Sequence, residues 1–130
     1  MATIVMSDFD FDDCAFERKM VEAAGIQFRS FSDARNRTPD EIIEHLKDAD
    51  GAITSYGRYT AEVFDALPSL KVVSKTGTGV DNIDVAAATA NGTTVCNVVG
   101  YGTEGVSDHA LALTLAVLRR INEIDADMRA

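Results

Sequence analysis

The sequence predicts an α/β fold, a flavodoxin-like doubly wound sheet of five parallel strands in the order 2-1-3-4-5, followed by a long C-terminal helix. Three observations point there. Short β-branched runs alternate with helix-periodic segments along the whole chain, the pattern of βα units joined by right-handed crossovers. The 130 residues suffice for one core and not for two. The apolar run at 70–74 passes into Gly77-Thr78-Gly79 and then a helix start at Asp84, as at a strand end facing the ligand crevice of an open parallel sheet.

Each element has its own warrant. Thr3-Ile4-Val5-Met6 is a short β-rich run. Residues 11–24 read as a helix that Gly25 ends at C′, where a left-handed residue closes the last turn. Residues 26–29 alternate as a second strand. Thr38 as N-cap, Pro39 at the first helical position and Glu41 three residues on form a capping box, opening a helix to Leu46. Gly51-Ala52-Ile53-Thr54 is the third strand. Thr60 caps a short helix through Leu67, which Pro68 stops. Residues 70–74 form the fourth strand and 84–90 its helix, with Asn91-Gly92 as the stop. Residues 94–98 make the fifth strand. The longest helix runs from Glu104 to about Met128. No internal repeat or low-complexity linker interrupts the chain, so residues 1–130 read as one domain segment with 104–129 as its terminal helix.

Composition narrows the function classes. Net charge is −9, from 21 acids against 12 bases, which disfavours nucleic acid and anionic membrane as partners. Cys14 and Cys96 stand in no metal-ligand spacing and read as free thiols of a reducing compartment. MATIVMSDFD lacks the basic start of a secretory leader, and the apolar run from Ala110 to Leu118 is too short to cross a bilayer. The expectation is a soluble, cytoplasmic protein.

The terminal helix carries two apolar stripes. Leu111, Leu115 and Leu118 share one face, and Leu113, Val117, Ile121 and Ile124 lie nearly opposite. Covering a sheet needs one stripe, so the second is expected to meet either a further domain or another copy of the chain, and a homodimer through this helix is the expectation.

Candidate chemistry clusters at strand ends. Glycines at 77 and 79 are expected to take positive φ and leave their N–H groups open, forming with the following helix start a pocket for a carboxylate. Gly100-Tyr101-Gly102-Thr103-Glu104-Gly105 spells the dinucleotide fingerprint, but no further strand ending in an acid follows. The preferred reading is a strand-to-helix hinge. Asp8 and Asp10 fit the D-x-D of haloacid-dehalogenase-type phosphatases, as nucleophile and acid/base around magnesium, with Thr54 or Ser55 as phosphate-binding hydroxyl. Asp12 departs from that motif, and no late acidic pair completes the metal site. The simpler reading is that these acids favour the N-terminus of the first helix. A ligand-free structural module is a third reading. His45 reads as a solvated helix residue and His109 as an early residue of the last helix. Neither has a partner at a catalytic spacing, and no metal-ligand cluster appears.

From Gly51 onward the chain resembles the D-isomer-specific 2-hydroxyacid dehydrogenases, particularly the branch that includes the C-terminal-binding proteins. The carrying residues are Thr60-Ala61-Glu62-Val63, Leu67 to Val73, Gly77-Thr78-Gly79-Val80-Asp81-Asn82-Ile83-Asp84, Val95-Cys96-Asn97-Val98, and Gly100 to Glu104 with Asp108-His109-Ala110-Leu111. The resemblance implies an NAD-binding Rossmann domain inserted within a flavodoxin-like substrate domain, of which this chain is the first segment. It further implies that the N–H groups of Thr78 and Gly79 hold a substrate carboxylate, that Ser55 and Tyr56 border a small 2-hydroxy or 2-keto acid, and that Thr103 touches the nicotinamide end of NAD. The family's catalytic Arg, Glu and His and its true fingerprint lie in the later domain. No catalytic residue and no bound cofactor are therefore expected in these 130 residues alone. Val99 stands where the family usually has Pro, and Gly105 where the nearest branch often has a second acid.

Overall fold

Five short strands pair in parallel in the order β2-β1-β3-β4-β5. They are β1 (Thr3–Met6), β2 (Gln27–Ser30), β3 (Gly51–Thr54), β4 (Val72–Lys75) and β5 (Thr94–Cys96). The helices between them are α1 (Ala15–Ala23), α2 (Pro39–Leu46), α3 (Ala61–Ala66) and α4 (Val85–Ala90), with α5 (Thr103–Leu118) and α6 (Ile121–Arg129) after the last strand. The structure, a computed structural model, describes residues 1–9, 11–31 and 38–130. The chain divides into two units, Met1–Val99 and Gly100–Ala130.

Period-two alternation sorts the first unit's core into two layers. Val5, Ala52 and Val73 point to one face, where they join Ile42 and Leu46 of α2, Val63 and Phe64 of α3, and Ala88 of α4. Met6, Ile4 and Ile53 point to the other, with Cys14, Phe28 and Val21. Such a doubly covered parallel sheet is what the alternation of βα units requires.

Local chemistry sets the boundaries. The capping box of α2 forms as expected: Glu41 N–H donates to Thr38 Oγ1 at 3.4 Å, and Thr38 N–H donates to Glu41 Oε2 at 2.8 Å. Gly25 ends α1 at φ 73°. Thr60 sits at the N-cap of α3 without making a side-chain cap, and its buried hydroxyl has no partner among the described residues. Helix α1 starts four residues later than expected, after Asp13 accepts the Ala15 N–H at 2.9 Å. Strand β4 ends one residue later than expected and β5 two residues earlier, at Cys96.

The largest departure is at the C-terminus. The single helix expected over 104–129 is two, because Arg120 adopts φ 52°, the one non-glycine with positive φ among the described residues. The last carbonyls of α5 are closed by Arg119 N–H to Leu115 O at 2.9 Å and Arg120 N–H to Val117 O at 3.1 Å. Arg120 then caps α6 by accepting the Ile124 N–H at 3.0 Å, while its guanidinium holds Glu123. The stripe of Leu113, Val117, Ile121 and Ile124 is therefore split between two helices.

Candidate functional site

At the carboxyl ends of β1, β3 and β4, three loops converge, and their peptide groups are used in opposite ways. After β3 the chain turns back over Asp8, which is fully buried at the end of β1. Asp8 Oδ1 accepts from Ser7 Oγ at 2.7 Å and from Thr54 Oγ1 at 2.5 Å. Asp8 Oδ2 accepts three consecutive backbone N–H groups, of Ser55 at 2.9 Å, Tyr56 at 2.5 Å and Gly57 at 3.1 Å. Gly57 is small of necessity. A Cβ there would lie 3.0 Å from Asp8 Oδ1 and from Thr54 Oγ1.

After β4, residues 76–78 form a bend in which Thr76 and Thr78 are exposed and Gly77 is half-buried, and exposed Gly79 follows it. Among the described residues, the N–H groups of Gly77, Thr78 and Gly79 meet no protein acceptor. The carbonyls of Gly77 and Thr78, by contrast, are pinned by the segment after β5. Val98 N–H donates to Gly77 O at 3.1 Å, and Asn97 Nδ2 donates to Thr78 O at 2.7 Å. Thr78 Oγ1 adds a bond to Val98 O at 2.9 Å. In a planar trans peptide the N–H points opposite to the C=O of the same unit. No described peptide is cis, so the Thr78 and Gly79 N–H groups both face away from residues 97–98, side by side.

Lys75 completes the arrangement. It ends β4 in register with Thr54, its ammonium donates to the Ser55 carbonyl, and it lies 5.6 Å from the centroid of the half-exposed Tyr56 ring. Ser55 Oγ bonds Thr76 Oγ1 at 2.8 Å, tying the two loops together. One cation and two aligned amide donors at parallel strand ends suit a small carboxylate.

Several expectations are corrected here. Gly77 and Gly79 do not take positive φ, which is confined to Gly25, Gly92 and Gly100 among the described glycines. Gly79 is instead restricted by space, since a Cβ would lie 3.2 Å from Asp81 Oδ2. The start of α4 is not the anion site: Asp84 fills it by accepting the Ala87 N–H at 2.9 Å. Asp8 does not serve the N-terminus of α1 either, because its oxygens are committed to the β3 loop. The same commitment disfavours the phosphatase alternative, since a carboxylate buried under five donors has no open face for attack on phosphorus. Asp10 lies outside the described residues. His45 is more than a solvated residue, stacking on Phe31 with ring centroids 3.7 Å apart.

Of the sequence-predicted site residues, Ser55, Tyr56, Thr78 and Gly79 come together on neighbouring strand ends. Ser55 is buried with its N–H, carbonyl and hydroxyl all engaged, so it forms the wall, whereas Tyr56, Thr78 and Gly79 are exposed. Thr103 begins α5 in the second unit. Lys75 went unnoticed in the sequence, although a cation placed between an apolar strand and a Gly-x-Gly turn was there to be read. The free thiols are as expected, Cys14 buried and Cys96 exposed. Among the described residues no His, Cys, Asp or Glu side chains gather as metal ligands would, and no helix is long and apolar enough to cross a membrane.

Comparison with known proteins gives this geometry its family. The model of the D-isomer specific 2-hydroxyacid dehydrogenase catalytic domain matches residues 5–127. The chain belongs to that family, a family of oxidoreductases. It is 41% identical over 99 residues to the D-3-phosphoglycerate dehydrogenase of Mycobacterium leprae, spanning 75% of this chain and 18% of that protein. It is 43% identical over 89 residues to the glyoxylate reductase of Korarchaeum cryptofilum, spanning 68% of this chain and 27% of that one. Among solved structures, an acyclic imino acid reductase in complex with NADPH and D-Arg superposes with a TM-score of 0.82 at 28% identity, over 98% of this chain and 40% of that one. The NAD⁺-bound 3-phosphoglycerate dehydrogenase of Entamoeba histolytica gives 0.71 at 26% identity, over 89% and 38%. The chain thus spans well under half the length of these relatives. The finer placement beside the C-terminal-binding proteins gains no support from them.

In the glycine motif at 100–105, Gly100 takes positive φ, a Cβ on Gly105 would meet nothing within 4 Å, and α5 is followed by α6.

Proposed function

We propose that these residues are the substrate-binding portion of an NAD-dependent D-2-hydroxyacid dehydrogenase, and that they hold the carboxylate of a small 2-hydroxy or 2-keto acid. The observation that carries the reading is the pair of N–H groups at Thr78 and Gly79 that meet no protein acceptor among the described residues, on the bend whose Gly77 has the Lys75 ammonium 3.6 Å from where a Cβ would stand. Tyr56 and Ser55 form the wall of the crevice, and Thr103 meets the nicotinamide end of NAD, as the family resemblance implies. In that family, hydride exchange between the cofactor and C2 of the acid uses an Arg, a Glu and a His of the later domain. The 130 residues alone are therefore proposed to bind without turning over.

Two measurements test this. Titration with glyoxylate or pyruvate should move the backbone amide resonances of Thr78 and Gly79, and unmoved resonances at high millimolar ligand would refute the pocket. Mixing the chain with NADH and either acid should leave the absorbance of NADH constant, and oxidation of NADH would end the claim of inactivity.

The proposal includes a cytoplasmic location and self-association through the C-terminal helices. Leu111, Leu113, Leu115, Val117 and Leu118 of α5 are exposed, an apolar surface of the size that holds helices together. Light scattering should report a dimer that Leu113→Ser with Val117→Ser disperses. A monomer at high micromolar concentration overturns it.

A further inference from the structure

The Asp8 carboxylate is too elaborately built to be a mere filler of the core. Its Oδ2 draws in the N–H groups of Ser55, Tyr56 and Gly57, three successive donors that no regular strand or helix would aim at one point. The consequence lies on the far side of each peptide plane. The Tyr56 N–H and the Ser55 C=O belong to one planar trans unit and point in opposite directions. Turning that N–H inward to Asp8 turns the Ser55 carbonyl outward, where it accepts the Lys75 ammonium. The unit before it behaves the same way: Ser55 N–H meets Asp8, and Thr54 C=O accepts Thr76 N–H at 3.0 Å. A buried anion is thereby coupled through single peptide groups to both the cation and the backbone of the β4 bend.

From this we infer that Asp8 is a positioning residue for the crevice: through the Ser55–Tyr56 peptide it fixes Lys75 over the Tyr56 ring and against Gly77, on the bend that carries the open N–H groups of Thr78 and Gly79. The inference rests on the proposed carboxylate pocket for its effect on binding, but the placement of Lys75 can be measured without ligand. An Asn at this position keeps the shape and offers an NH2 group where the site supplies only donors, so at least part of the clamp must open.

The test uses the 130-residue chain and compares wild type, Asp8→Asn and Tyr59→Phe. Tyr59 OH donates to Ser7 Oγ at 2.9 Å, so its loss trims the same buried network without touching the clamped amides. In wild type the Lys75 methylene protons beside the ammonium should carry a ring-current shift from Tyr56, and the Ser55, Tyr56 and Gly57 amides should exchange far more slowly than those of Thr78 and Gly79. D8N should abolish the ring-current shift and weaken glyoxylate binding roughly tenfold or more, the scale of one hydrogen bond to a charged group. Y59F should leave both as in wild type. An unchanged Lys75 shift in D8N, or equal losses in D8N and Y59F, overturns the inference. A wild type that binds no glyoxylate refutes the pocket instead, and the Lys75 shift alone then decides the role of Asp8. Should D8N not fold, Gly57→Ala pushes on the clamp from the loop side and is read in the same two ways, with an unchanged Lys75 shift again overturning the inference.

Discussion

The bends after β3 and after β4 leave neighbouring strands side by side, yet they solve the problem of the unpaired backbone amide differently. Residues 55–57 turn three N–H groups onto the buried carboxylate of Asp8, so the molecule supplies its own anion. Gly77 and Thr78 turn their carbonyls onto the segment after β5, and the N–H groups of residues 77–79 meet no protein acceptor among the described residues. Their glycines differ accordingly. Gly57 has Asp8 Oδ1 and Thr54 Oγ1, bonded to each other in the buried network, 3.0 Å from where a Cβ would stand, whereas a Cβ on Gly77 would find only the Lys75 ammonium, at 3.6 Å. A closed bend is held by its own carboxylate, and the adjacent open one is where a ligand is proposed to bind. Lys75 and the Ser55–Thr76 hydroxyl pair join the two.

The contrast can be broken most severely at its closed half. Asp8→Ala leaves three N–H groups and two hydroxyls without their acceptor in a dry site, and should lower stability by about 3 kcal/mol or more, read from the shift of a urea midpoint. A change within 0.5 kcal/mol would mean that water replaces the carboxylate at no cost. Next in size, Gly57→Ala should cost about 1–3 kcal/mol by crowding the same oxygens, while Gly77→Ala should stay within about 0.5 kcal/mol. Equal costs at the two positions would erase the distinction between the bends.

The open half is sharpened by Lys75→Met, which keeps most of the stem and removes the charge. Glyoxylate affinity should fall roughly tenfold with thermal stability nearly unchanged, and the remaining binding should lose most of its salt dependence. The smallest effect lies at the opposite ends of the strands. Lys71 Nζ and the Thr3 N–H bond the Asp50 carboxylate at 2.6 and 2.9 Å and hold it below the usual carboxylate range. A carboxyl with a lowered folded-state pKa stabilises the fold above its unfolded value and loses that contribution as pH falls through the folded one. Asp50→Asn should therefore remove a small stabilisation that wild type has at pH 7 and flatten the acid limb below about pH 4, where the two proteins converge.

Much of the architecture was legible because its causes are local. Thr38, Pro39 and Glu41 spell their cap within four residues, Gly25 announces its left-handed turn, and the alternation of runs dictates strand order. The role of Asp8 was not legible, because its backbone partners lie 47, 48 and 49 residues further along. An acid after the first strand looks the same in sequence whether it faces water, a metal or another loop. Gly77 and Gly79 do not take the positive φ their sequence suggested, since sequence does not separate a glycine needed for its φ from one that is close to a neighbour, as Gly79 is to Asp81, or from one that is neither, as at Gly77. Lys75 was visible as a cation, but not its purchase on the Ser55 carbonyl, which depends on the register of β3 with β4. The helix break had no Gly or Pro to betray it.

That break has a use of its own. At Arg120 the helical phase is reset, so the rows of α5 do not continue onto α6 as they would along a straight rod. If a second chain grips Leu113 and Val117 as proposed, the straight surface it can follow ends with α5, after 16 residues or about 24 Å. Ile121 and Ile124 lie beyond the break, on α6. Glycine at 120 would relieve roughly 1 kcal/mol of left-handed strain and leave this elbow easier to hold rather than straightening it.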